Sequence, residues 1–324
     1  MSDAEYPELK VVEASAPCPV LARLPRLPVS VLVLEQEGAT GEGRPLAARL
    51  TRLADEFGVG AGLQVAHHAF SSWPALEDEP PRGRYDAVFL HITSLPADSD
   101  DPRSPRSDVL ELTSRLLANL EVRFYVVART SDADTTDRRM GLLLSLVERG
   151  APPAVLLPAE WTAEEVSDFE EALFERILHD APLVQAAATA TGELRPLPTI
   201  YQPPGRRHGL DLGRLLEDHR RRIEEGGNAL RILRREVEAF RPGEDEASHA
   251  SAWQEIADDV SGAQDALDGI KHAVEEINRD RDPAGWSRLA DSIAALRDWE
   301  GGVQQDRDRL DAFREVAYGD PSRG

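Results

Sequence analysis

His91 and Ser131 are the residues from which chemistry would be built first. Each falls where a short apolar run gives out: "YDAVFLHI" (85–92), and "VRFYVVA" (122–128) leading into "RTSDADTTD" (129–137). An imidazole within hydrogen-bond reach of a hydroxyl is a base beside a nucleophile, the minimum for acyl transfer. The plain alternative is that His91 still lies inside its strand, as a buried imidazole satisfied by a neighbour. Asp132, Asp134 and Asp137, with Asp98, Asp100 and Asp101 of the preceding loop, offer the oxygens that magnesium or calcium prefers. Their spacing fits no closed calcium loop, and solvated carboxylates suit so acidic a chain. The expectation is no metal and no cofactor.

Other chemistries have less to work with. Cys18 is the only cysteine, so internal disulfides and thiolate zinc clusters are excluded, and it precedes the first strand instead of ending one. No serine stands in a G-x-S-x-G elbow. "GATGEGRP" (38–45) lacks the order of a phosphate-binding loop. His67 and His68 are adjacent on a strand pattern, point to opposite faces, and cannot easily share a metal.

The elements that would position these residues come next. With 324 residues and 41% hydrophobic content, the chain can bury a proper core and fill two domains. It carries 59 acidic residues against 37 basic ones, a net charge of −22 that repels a phosphate backbone and predicts no nucleic-acid partner. No apolar run reaches the roughly 18 residues of a membrane helix, and the first residues lack the order of a signal peptide. A soluble, cytoplasmic protein is expected.

Residues 1–24 lack periodicity and read as an arm. Strands are then predicted at 28–36, 63–70, 85–92, 122–128 and 152–159, and helices at 46–58, 107–120, 138–150 and 162–181. The last helix opens with Thr162 and Glu165, a capping box, before a Val166, Phe169, Leu173 and Ile177 stripe. Alternating βα units over 25–192 predict an α/β fold with a mostly parallel sheet flanked by helices. Residues 193–209, rich in proline, read as a linker.

From 210 to 318 three helical patterns follow, before a short tail at 319–324. The middle one places Trp253, Ile256, Val260, Ala263, Leu267, Ile270, Val274 and Ile277 at alternating spacings of three and four. Its neighbours are separated from it by short breaks, so an all-α antiparallel three-helix bundle or coiled coil is predicted. The seam is either the core of a self-contained bundle or a surface for a protein partner or a second copy.

The α/β part resembles a known family. "RYDAVFLHITS", "FYVVARTSD" and "LLLSLVERGAPPAVLLPAEWTAEEVSDFEEALFERILHDAPLVQAAATA" are similar to the CHAT family of caspase-like domains over residues 28–191. Gly150, Ala151, Pro152, Ala154, Val155, Trp161, Phe169, Phe174, Leu178, Pro182, Leu183 and Ala186 carry the resemblance. Active members place a His-Gly and an Ala-Cys at the two strand ends. Here Thr93-Ser94 and Ala128-Arg129 fall on those positions, with His91 two residues early. A guanidinium stays protonated and cannot be a nucleophile. The resemblance therefore implies a degenerate, non-catalytic CHAT-like domain, an interaction or adaptor module of the kind found in bacterial defence and programmed-death systems. The alternatives are a hydrolase of another mechanism, metal- or Ser/His-dependent, on the loops after the third and fourth strands, and a flavodoxin-like or TIR-like domain.

Overall fold

The computed structural model describes residues 9–13, 23–37, 46–56, 62–92, 120, 122–129, 152–203, 209–242, 247–280 and 283–318. The predicted helices at 107–120 and 138–150, and Cys18, lie outside them, save for Leu120. The chain divides into two compact units, Met1–Gly213 and Arg214–Gly324.

The first unit is built on a seven-stranded sheet. In chain order the strands are β1 (Lys10–Glu13), β2 (Val29–Gln36), β3 (Leu63–Phe70), β4 (Ala87–Ile92), β5 (Phe124–Arg129), β6 (Ala154–Leu156) and β7 (Thr199–Gln202). The spatial order is β1-β7-β6-β5-β4-β2-β3, parallel throughout except for the antiparallel β6–β7 pair. β4 is buried at every position, as its unbroken apolar run requires of a strand covered on both faces.

One face buries Leu32, Leu34, Val88, Leu90, Tyr125 and Val127 in a common cluster. Phe89 and His91 project from the other face. That face is covered by an amphipathic helix, as the edge-on contact of Phe89 with Phe174 at 6.1 Å records. The described helices of this unit are α1 (Leu46–Glu56), α2 (Trp73–Asp78), α3 (Ala163–Leu178) and α4 (Leu183–Thr191). α3 begins with the predicted capping box: the Thr162 hydroxyl accepts from the Glu165 amide, and the Glu165 carboxylate accepts from the Thr162 amide. α1 is tied to it by Arg49, whose guanidinium meets Asp168 at 3.0 Å and Glu171 at 2.9 Å.

Two stretches read as irregular contain strands. The arm supplies β1 and the proline-rich linker supplies β7, in register as Lys10↔Thr199 to Glu13↔Gln202. Each is only four residues long, too short to show a period, and takes its conformation from its neighbours in the sheet. Residues 199–202 therefore belong to the first unit, with Ile200 and Tyr201 fully buried. Two short helices, α2 and α4, were likewise not predicted.

The second unit consists of α5 (Leu212–Ala239, whose first two residues belong to the first unit), α6 (Ala247–Asp280) and α7 (Ala284–Tyr318). The Trp253 indole on α6 donates to the Val237 carbonyl on α5 at 2.9 Å. The Trp299 indole on α7 donates to the Ala263 carbonyl on α6 at 2.8 Å. Arg309 of α7 meets Asp259 and Glu255 of α6, so these two helices run antiparallel. Gly226 of α5 has a physical reason: a Cβ there would lie 2.8 Å from the Trp299 ring.

The seam offered as a partner surface is taken up inside the chain. Ile256, Val260, Leu267, Ile270, Val274 and Ile277 are buried and Trp253 is half-buried. Ile256 and Val260 pack with Leu230, Leu233 and Val237 of α5 and with Leu310 and Phe313 of α7. The same periodicity that would serve a partner is satisfied by the adjacent helices, which short connections keep at high effective concentration.

Asp180, in the left-handed conformation at φ 58°, ends the chain segment after α3 and caps the start of α5. Its carboxylate accepts from the Leu212 amide at 2.9 Å and the Gly213 amide at 3.0 Å. These are orphan donors of a helix start, where negative charge is also favoured by the helix dipole. Asp180→Ala should cost about 1–2 kcal/mol, whereas Asp180→Asn, which keeps one acceptor, should cost less. Urea unfolding of the three proteins checks the order, and equal midpoints would show the cap to be energetically idle.

Candidate functional site

In an open α/β sheet, the place to look is outside the carboxyl ends of the strands, where the strand order reverses. Here the chain runs from β2 outward to β3 and then returns past β2 to β4, so the reversal lies between β2 and β4. Their register pairs Glu35 with His91, side by side at the carboxyl ends. The five parallel strands β3-β2-β4-β5-β6 have the doubly wound order, and β7 and β1 extend it.

Four ionisable side chains meet there. His67 of β3 contacts the Glu35 carboxylate at 2.8 Å, in a partly solvated pair. His91 lies deeper, with 3% of its side chain exposed and its Nε2 within 2.9 and 3.0 Å of the two oxygens of Glu170. Glu170 comes from α3 and is fully buried. Burial by itself would lower the pKa of His91. The attraction and hydrogen bond of Glu170, with Glu35 adding to them, outweigh burial and leave it above the ordinary histidine value.

This arrangement answers the question of His91. It is still inside its strand, and it is held by a partner that the sequence reading did not name. The signal was present: Glu170 lies four residues after Val166 and four before Phe174, on the buried stripe of α3. A carboxylate on an apolar stripe needs a hydrogen-bonded partner in the core, and a strand imidazole is the natural one. Chemically, a carboxylate bonded to an imidazole is the orienting half of a nucleophile–base–acid triad. It is also an ordinary buried ion pair, which holds two elements together only while both members are present.

Arg129 ends β5 beside Ile92 in the strand register. Thr93, Ser131, Asp132, Asp134 and Asp137 lie outside the described residues. Among the described residues, no group of three or more His, Cys, Asp or Glu side chains converges to hold a metal ion. No described helix is long and apolar enough to cross a membrane.

Among the described residues, a hydroxyl–imidazole contact occurs in the second unit. His219 Nε2 and Ser292 Oγ are 2.9 Å apart. They are 2% and 6% exposed, beyond the reach of a substrate. Burial, with the nearby Arg222 charge, pushes His219 down to about 4 despite Asp218, which makes it a weak base. The opposite ends of the first unit's strands hold a third buried charge group. There Arg123, 1% exposed, donates to the Arg23 carbonyl at 3.1 Å and the Gly209 carbonyl at 3.4 Å. Its charge also acts on buried Asp86, whose carboxyl is pushed up by burial, against the Ser30 amide, Arg123 and Arg84.

No protein-family model matches this chain, and comparison with curated proteins finds no matching relative.

Proposed function

We propose that the chain is a non-catalytic, CHAT-like interaction protein. In this reading the α/β unit is a degenerate caspase-like domain that retains a recognition cleft. The helices form an antiparallel three-helix bundle, and the protein is an adaptor for a protein partner or a second copy, as in bacterial defence systems. The observation that carries it is the withdrawal of His91 from solvent. The imidazole nearest to where a base is needed is 3% exposed and held by Glu170, so it meets no substrate. Arg129, standing where the resemblance requires a thiolate, adds to this. With the Trp253–Ile277 seam buried, the partner in this reading is met by the outer faces of the helices.

A second reading is favoured by the same pair. Glu170 orients His91 as an acid orients a catalytic base, and Ser131 follows β5, which is paired with β4. In that reading the protein is a hydroxyl-based hydrolase. One experiment separates the two. The full chain is incubated with a fluorophosphonate probe and with a panel of peptide and ester substrates. The adaptor reading expects no labelling and no turnover above buffer. Labelling abolished by Ser131→Ala and weakened by Glu170→Gln would overturn it in favour of the hydrolase.

A further inference from the structure

We infer that His219 and Ser292 form an acid-sensitive latch between α5 and α7, so that acidification loosens the helical unit. The geometry carries the inference. His219 Nε2 lies 2.9 Å from the Ser292 hydroxyl, and Nδ1 is buried with no hydrogen-bond partner among the described residues, so the neutral tautomer that leaves no buried donor unpaired carries its proton on Nε2 and donates to Ser292. An unfilled lone pair is tolerable there. A protonated ring has donors on both nitrogens, so Nδ1–H would become a buried, unsatisfied donor carrying a full charge.

The charged surroundings make this worse. Arg222, one turn along α5, acts on the ring and opposes its protonation. Arg222 is anchored by Glu300 of α7 at 2.7 Å, which holds that positive charge in place. Asp218, on α5, is the group that favours the charged ring, and it already accepts from Arg221. α7 faces His219 with the Ser292 hydroxyl, and among the described residues no charge on α6 shifts the ring. Protonation is therefore accommodated by moving the ring into water, which requires α5 and α7 to part.

The sign follows from linkage. The closed unit binds the proton less tightly than the open one, because the ring is depressed to about 4 from its ordinary 6.5. Closure is fully favoured above about pH 6.5 and weakens as the pH falls towards 4. Each pKa unit is a factor of ten, and at pH 4 the closed-state ring is itself half protonated, so the opening equilibrium should rise by about a hundred-fold from pH 7 to pH 4.

The test follows the full chain by hydrogen exchange, corrected for intrinsic rates, from pH 7 to pH 4, alongside an NMR titration of the histidine rings. The wild type should lose protection in α5 and α7 together as the His219 ring titrates. Histidine 219 changed to glutamine (His219→Gln) keeps a donor for Ser292 but cannot charge, and it should flatten the response. If that variant is unfolded at pH 7, Arg222→Gln should raise the ring's pKa and shrink the response. An acid loss of protection that is unchanged in the variants would place its origin in the carboxylates and overturn the latch. So would a His219 ring that titrates at the ordinary histidine pH with α5 still protected.

Discussion

Glu170→Ala should destabilise the α/β unit by about 3–5 kcal/mol, the cost of leaving one member of a buried ion pair without the other. The loss has two parts. The His91 ring, 3% exposed, would lose the acceptor for Nε2, and the methyl of alanine would leave a gap between α3 and β4. Replacing both members by apolar residues, His91→Leu with Glu170→Leu, removes the uncompensated group and should recover most of the stability. Urea unfolding, read at the amides of β4 and α3 by hydrogen exchange, separates these outcomes. A single-variant loss below about 1 kcal/mol would show that the pair is solvated in solution.

The pair also has a pH signature opposite to that of His219. His91 binds its proton more tightly in the folded chain than in the unfolded one. Its contribution is complete below the unfolded value near 6.5 and is lost as the pH rises through the raised folded value. The wild type should therefore weaken on the alkaline side in a way that the double leucine variant does not. Stability against pH for both proteins reads this directly. Parallel curves above pH 6.5 would mean that His91 is neutral in the native chain.

Arg123→Met should have an effect of similar size, about 3–5 kcal/mol, at the other end of the same strands. The arginine stem would be replaced by a side chain of like volume, so the loss is mainly polar. Two carbonyls, of Arg23 and Gly209, would lose donors, and Asp86 would lose one of the two positive charges that act on it. Asp86 already has one oxygen, Oδ1, buried without a hydrogen-bond partner, and its other oxygen accepts from the Ser30 amide at 3.0 Å. Combining Arg123→Met with Asp86→Asn should cost less than the sum, because the second change removes the charge that the first exposes. Additive losses in a double-mutant cycle would mean that the two groups do not act on each other.

What could be read from the residues follows from how local each signal is. β3 falls at 63–70 as predicted, and β2 and α3 fall within a residue or a few of their predicted limits, because long apolar runs and a capping box fix an element from its own residues. β1 and β7 were invisible for the opposite reason. Four residues among prolines have no period, and only the neighbouring strand supplies their hydrogen bonds. His91 is legible as an imidazole at the end of an apolar run, but its partner is 79 positions away. Glu170 could be suspected of needing a partner from its place on the stripe, yet nothing local says which one. His219 and Ser292, 73 positions apart, escaped for the same reason.

The sequence by itself determined the α/β character of the first unit, the helical character of the second, the acidic surface and the absence of a cysteine at the strand ends. Each depends on residue types and short-range periods, which act through backbone geometry and solvation alone. Only the tertiary structure decided the strand order, the membership of β1 and β7 in the sheet, the pairing of His91 with Glu170 and the enclosure of the Trp253–Ile277 seam. Each of these joins residues distant along the chain, and in a crowded interior the choice among many compatible partners is made by which faces must be buried together.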